Sequence, residues 1–147
     1  MTEDGLATFR RELLVGRGYR PAFEGARKKY RATAGNVLIE IILTVEYPGD
    51  GKPKSVRFPG PKASSVLIDG VRTVALETLV ELKLASGMTG AGRRKDLADV
   101  QELIRVLNLT TAFATRLDPR VRALFLELHG ELALEAEQTP PCFDEGE

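Results

Sequence analysis

The stretch VLIEIILTV, Val37 to Val45, decides the fold reading, because it places a single acid inside an otherwise apolar and β-branched run. Val, Ile and Thr fit a pleated surface, so the run predicts a strand. Both alternating faces are apolar, with Val37, Ile39, Ile41, Leu43 and Val45 on one and Leu38 and Ile42 on the other. The sequence therefore predicts burial on both sides. Period-2 geometry sets Glu40 on the face of Leu38 and Ile42. A carboxylate there must be paired, protonated, at a strand end open to solvent, or bound to a cation, since desolvating it alone is costly.

Working outward, RKKYRAT (27–33) precedes the run as a polar, basic strand, joined by a turn at Ala34-Gly35-Asn36. This predicts a hairpin whose first strand is a sheet edge. Before it, Leu6, Phe9, Leu13 and Leu14 have helical spacing, with Thr2 and Asp4 as caps and Gly16 or Gly18 as the stop. After it, PGDGKPK and FPGPKA read as loops, with SVRF as a short strand between them. PGDGKPK lacks the spacing and the following helix of a phosphate-binding P-loop. SSVLIDGVRTV predicts two short strands about Asp69-Gly70, leading into a helix near Leu76.

Helices then fill the chain: ALETLVELKLAS, RKDLADVQELIRVL, a short TTAFATRL, and DPRVRALFLELHGELALEAEQ, started by Asp118-Pro119. The last should cap the sheet. The expected class is α+β, one domain over residues 1–137 with helix and strands to 75 and a helical part from 76, followed by a disordered acidic tail at 138–147.

At 147 residues and 43% hydrophobic content the chain can build a core without disulfides. Its one cysteine, Cys142, forms no internal bridge or metal cluster, and with no signal-peptide pattern and no apolar run near the ~20 residues of a membrane span, a soluble cytoplasmic protein is expected. Residues 1–63 carry 12 basic and 7 acidic side chains, and residues 64–147 carry 9 and 14. The basic half is compatible with a phosphate-rich ligand, though an unevenly solvated surface is the simpler explanation.

Two polar features break the helical pattern. In the helix from Leu76 the apolar stripe is Leu76, Leu79, Val80, Lys83 and Leu84, so Lys83 occupies a core-facing position. It either snorkels to water or aims its ammonium into a cleft, toward phosphates or a carboxylate. In the next helix the apolar face is Leu97, Val100, Leu103, Ile104 and Leu107. Asp96 and Asp99 lie one turn apart beside it, where they complement the helix dipole and where Lys95 pairs with Asp99 at i+4. His129, the only histidine, reads as a surface or half-buried residue of the last helix.

In order, IEIILTVEYPGDGKPK, VRTVALETLVELKLASG and RRKDLADVQELI resemble the nucleotidyltransferase-like proteins of the polymerase-beta superfamily, in its minimal, AbiEii-like branch from toxin–antitoxin and phage-defence systems. The resemblance spans roughly Leu6 to Leu109. It implies a mixed sheet flanked by helices, with divalent metal on three carboxylates: a DxD pair following a Gly-Ser or Gly-Gly turn, and a third acid on the next buried strand. Glu40 falls on the third acid, Lys83 on the lysine that contacts nucleotide phosphates, and Asp96 and Asp99 on the KDxxD acids that position lysine and substrate. Lys95, beside them, is a further phosphate-contact candidate.

The sequence departs from that pattern, for it contains neither Gly-Ser nor DxD. One Glu cannot hold Mg²⁺ ions in octahedral geometry, so tight Mg²⁺ binding is not expected. The expectation is a degenerate or N-terminally truncated nucleotidyltransferase-like protein, unable to transfer nucleotides as it stands. The alternatives are an enzyme completed by a partner chain, a homodimer or an upstream segment, with tRNA among its candidate acceptors, or a non-enzymatic module in which the four residues form a salt-bridge network.

Overall fold

The computed structural model describes residues 1–14, 17–48, 50–89 and 94–138, excluding the side chain of Leu13. Gly16, Cys142 and the tail after Gln138 lie outside the described residues. The chain is α+β, with two small antiparallel sheets and a helical C-terminal part. It divides into two compact units, one of Met1–Glu46 with Arg57–Arg72 and one of Tyr47–Val56 with Thr73–Glu147.

The first unit opens with α1 (Glu3–Phe9), capped by Thr2, whose hydroxyl accepts the Gly5 N–H at 3.1 Å, and carrying Glu3 and Asp4 in its first turn. A π-helical turn, Arg10–Leu14, prolongs it. Three strands follow, β1 (Tyr19–Pro21), β2 (Lys29–Ala32) and β3 (Leu38–Glu40), hydrogen-bonded in the order β1-β2-β3 and antiparallel throughout. The β2–β3 connection is the four-residue turn 33–36, in which Gly35 and Asn36 take φ 79° and 54°, left-handed values that Gly and Asn adopt at least cost.

Tyr30 is fully buried at the centre of this sheet, its hydroxyl donating to the Arg27 carbonyl at 2.6 Å. Leu6, Ile41 and Leu43 complete the small core, with Phe9 packed at 5.4 Å, centroid to centroid, on Tyr30. The helix thus covers one sheet face.

Three expectations are corrected here. The strand in 37–45 is short and has one wet face: Leu38 and Ile42 are each half exposed, while Ile41 and Leu43 are buried. The chain turns out of the sheet at Thr44 and Val45, and Val45 takes φ 65°, a strained value for a β-branched residue. Second, β2 is the central strand rather than an edge, because Tyr19-Arg20-Pro21 supplies a further strand beyond it. Third, the two sheets are antiparallel, and the parallel pairing of a mixed sheet does not occur among the described residues. SVRF forms no strand, though Phe58 exchanges backbone hydrogen bonds with Val45 and Glu46 at 2.9 and 2.8 Å.

The hairpin β4 (Ser65–Ile68) and β5 (Val71–Val74) turns at Asp69 and Gly70, φ 49° and 78°, as Asp-Gly predicts. The boundary between units falls within β5.

The second unit is built on α2 (Leu76–Gly87), α3 (Arg94–Leu107), a 3₁₀ turn (Thr111–Arg116) and α4 (Pro119–Gln138). Val80, Leu84, Val100, Ile104, Val121 and Phe125 lead a core of their own, into which Val56 also packs. Leu107, assigned by periodicity to the buried face of α3, is 47% exposed, because that helix ends there. Asn108 follows at φ 50°, and the Leu109 N–H reaches back to the Ile104 carbonyl at 3.0 Å, a Schellman-type stop. Asp118 caps α4 through the Arg120 N–H at 2.9 Å, with Pro119 in the first helical position. Among the described residues no helix is long and apolar enough to cross a membrane.

Candidate functional site

The apolar stripe of α2 packs on α3, so the one lysine in that stripe is carried to the flank where α3 displays its acids. Lys83 Nζ donates to Asp99 Oδ2 at 2.5 Å and stands 3.8 Å from Asp96 Oδ1. One turn further along α2, the buried Ser86 donates its hydroxyl to Asp96 Oδ2 at 2.6 Å. The two helices are therefore joined by a polar set in which each carboxylate has a partner on α2.

The helices can approach this closely because of Gly87. A Cβ there would overlap the Leu97 Cδ2 and lie 2.6 Å from its Cγ. The residue is glycine for lack of space rather than for its backbone angles.

Lys83 is about a quarter exposed and Asp99 more so, so the pair is a half-solvated ion pair, not a buried one. The Lys83 hydrogen bond holds the Asp99 carboxyl below its ordinary range, with the charges of Lys83 and Lys95 adding to it and desolvation opposing. Lys95 itself is exposed and acts on Asp99 by charge. Sequence reasoning placed Lys83, Asp96 and Asp99 but missed Ser86. The signal was present, since Ser86 follows Lys83 by three residues and so shares its helix face.

Glu40 belongs to the first unit. It ends β3, more than half exposed, directly opposite Lys29, whose Nζ lies 3.3 Å from Oε1. Of the alternatives for this acid, the structure takes two together: a strand end open to solvent, and a basic partner.

Each candidate carboxylate already has a protein partner. Glu40 faces Lys29, Asp99 is occupied by Lys83, and Asp96 by Ser86 and Lys83. Among the described residues no three His, Cys, Asp or Glu side chains are grouped to hold a metal ion.

A second polar cluster went unread in the sequence. Glu81 of α2 accepts the Asp118 backbone N–H at 2.6 Å, Glu77 pairs with Arg116, and Arg122 donates to the carbonyls of Leu117 and Thr115 at 2.8 and 3.1 Å. Desolvation raises the Glu81 carboxyl. The Arg120 guanidinium holds Asp118 down at about 2. These groups satisfy the exposed backbone between the 3₁₀ turn and α4, which is a structural task.

His129 is half-buried on α4, its ring 6.4 Å from Phe125. It borders an open groove of about 480 Å³ between the end of α3 and α4, floored by Ile104, Leu109 and Leu132.

Comparison of the chain with protein-family models, curated proteins and solved structures returns no match.

Proposed function

We propose that this chain is a nucleotidyltransferase-like protein that keeps the lysine-and-aspartate half of the site and, as it stands, does not transfer nucleotides. The observation that carries the reading is the pairing of Lys83 with Asp99 and Asp96 across α2 and α3, the two helices that hold the LKLASG and KDLADV elements of the resemblance. In the family these acids position the lysine, and the geometry here suits that role. Nucleotidyl transfer depends mainly on positioning a triphosphate and neutralising its charge, and the donors present supply no metal clamp for that purpose.

A second reading is favoured by the mutual hydrogen bonding of the set: an interaction module in which Lys83, Asp96, Asp99 and Ser86 only brace two helices. The two readings differ in whether Lys83 meets phosphate. A single charge-assisted contact contributes about 1.5–3 kcal/mol, short of the roughly 4 kcal/mol behind a 1 mM dissociation constant. Any phosphate binding at Lys83 alone is therefore weak.

The test is incubation of the purified chain with each radiolabelled NTP and Mg²⁺ or Mn²⁺, using tRNA, the protein itself and small acceptors. The expected result is no label transfer. Metal-dependent labelling that disappears in Glu40→Gln and in Lys83→Ala would overturn the proposal.

A further inference from the structure

The sheet of the first unit has one face under α1 and one face wet, and the wet face is not neutral. Cross-strand register sets Arg20 directly opposite Arg31, Arg31 opposite Leu38, and Lys29 opposite Glu40, so these five residues share that face. Three are cations and one is an acid. Glu40 pairs with Lys29, leaving both arginines without an acidic partner among the described residues. Arg31 turns one guanidinium nitrogen to the Asn36 carbonyl at 3.2 Å, a contact that leaves its charge uncompensated.

Like charges directly opposite one another weaken a strand pair. The arrangement is accounted for if an anion lies across both guanidiniums. The guanidinium fork matches phosphate oxygens, and its flat face stacks on bases. Opposite Arg31, Leu38 is half exposed and adds an apolar contact to that face. A wet sheet face enters neither groove of a duplex, but a single strand can lie along it, with its phosphates on the cations and a base stacked on a guanidinium plane.

We infer that the Arg20–Arg31 face of the three-stranded sheet binds single-stranded nucleic acid through its phosphodiester backbone. This inference is independent of the Lys83 cluster and of any transfer activity.

The test is fluorescence anisotropy of the full chain with labelled single-stranded RNA and DNA oligonucleotides across a salt series, for wild type, Arg20→Gln/Arg31→Gln and Arg20→Glu. Wild type should bind at low salt. The double variant should bind at least about tenfold more weakly, with a log K against log salt slope shallower by about 1.4, the loss of two single-strand contacts. Arg20→Glu should bind weakly yet melt at the same or a higher temperature, because it replaces a like-charge pair with an ion pair. Preference for RNA over DNA would assign the 2′-hydroxyl a part, and equal binding would assign the backbone alone, both in keeping with the inference. Absence of oligonucleotide binding at 50 mM salt, equal binding by wild type and double variant, or arginine-dependent binding to anionic vesicles but not to oligonucleotides would overturn it.

Discussion

At the level of single residues, what distinguishes this chain is how its acids are used. Asp118 is the clearest case, because it caps α4 and is hydrogen-bonded by Arg120, which lowers its carboxyl from the ordinary 3.8 to about 2. A carboxyl that is more acidic folded than unfolded contributes stability above its unfolded pKa and loses it as pH falls through the folded value. Asp118→Ala should therefore lower stability by about 1 kcal/mol at neutral pH, and the gap from wild type should close between about pH 4 and pH 2 in urea denaturation. Glu81 works in the opposite sense: its raised carboxyl contributes below its unfolded pKa and loses that contribution as pH rises through the raised value. The two windows lie on opposite sides of the ordinary carboxylate range. Glu40 and Lys83 were legible in the sequence because each puts a charge into an apolar pattern. Ser86 was not, because a small hydroxyl passes unnoticed in a helical stripe.

Among the elements, helices were more legible than strands. The stripes of α2 and α3 follow from a period that is local to each segment, and the caps at Thr2 and Asp118 from side chains that bond their own turn. Strand position depends on partners that the local pattern does not name. The short β1, Tyr19-Arg20-Pro21, has no apolar alternation to announce it, yet its presence makes β2 central and Val37–Val45 a peripheral run. The double-faced apolarity of that run predicted burial on both sides, and the fold buries only the side of Ile41 and Leu43. Gly87 gives the element-scale prediction. Alanine is the better helix former, but at this position its methyl must displace Leu97 at the α2–α3 contact. Gly87→Ala should destabilise by about 1–3 kcal/mol, and Gly87→Ala with Leu97→Ala should recover part of the contact strain while losing core burial. A stabilised single variant in thermal denaturation would show that the helices have room to separate.

The molecule as a whole consists of two units with different surface chemistry. The first offers a cationic sheet face, and the second holds the lysine-and-aspartate set between two helices. The division of charge was legible in composition, whereas the pairing of Lys83 with Asp96 and Asp99 needed the packing of α2 on α3 to become visible. At this scale we propose that the set meets phosphate weakly and without a metal to amplify the contact. The most direct measurement is calorimetric titration of the chain with ATP, with and without Mg²⁺, on wild type and Lys83→Ala. The predicted result is a dissociation constant weaker than about 1 mM, unchanged by Mg²⁺ and weakened further in Lys83→Ala. A tenfold or greater tightening by Mg²⁺ that disappears in Asp96→Asn or Glu40→Gln would contradict the account.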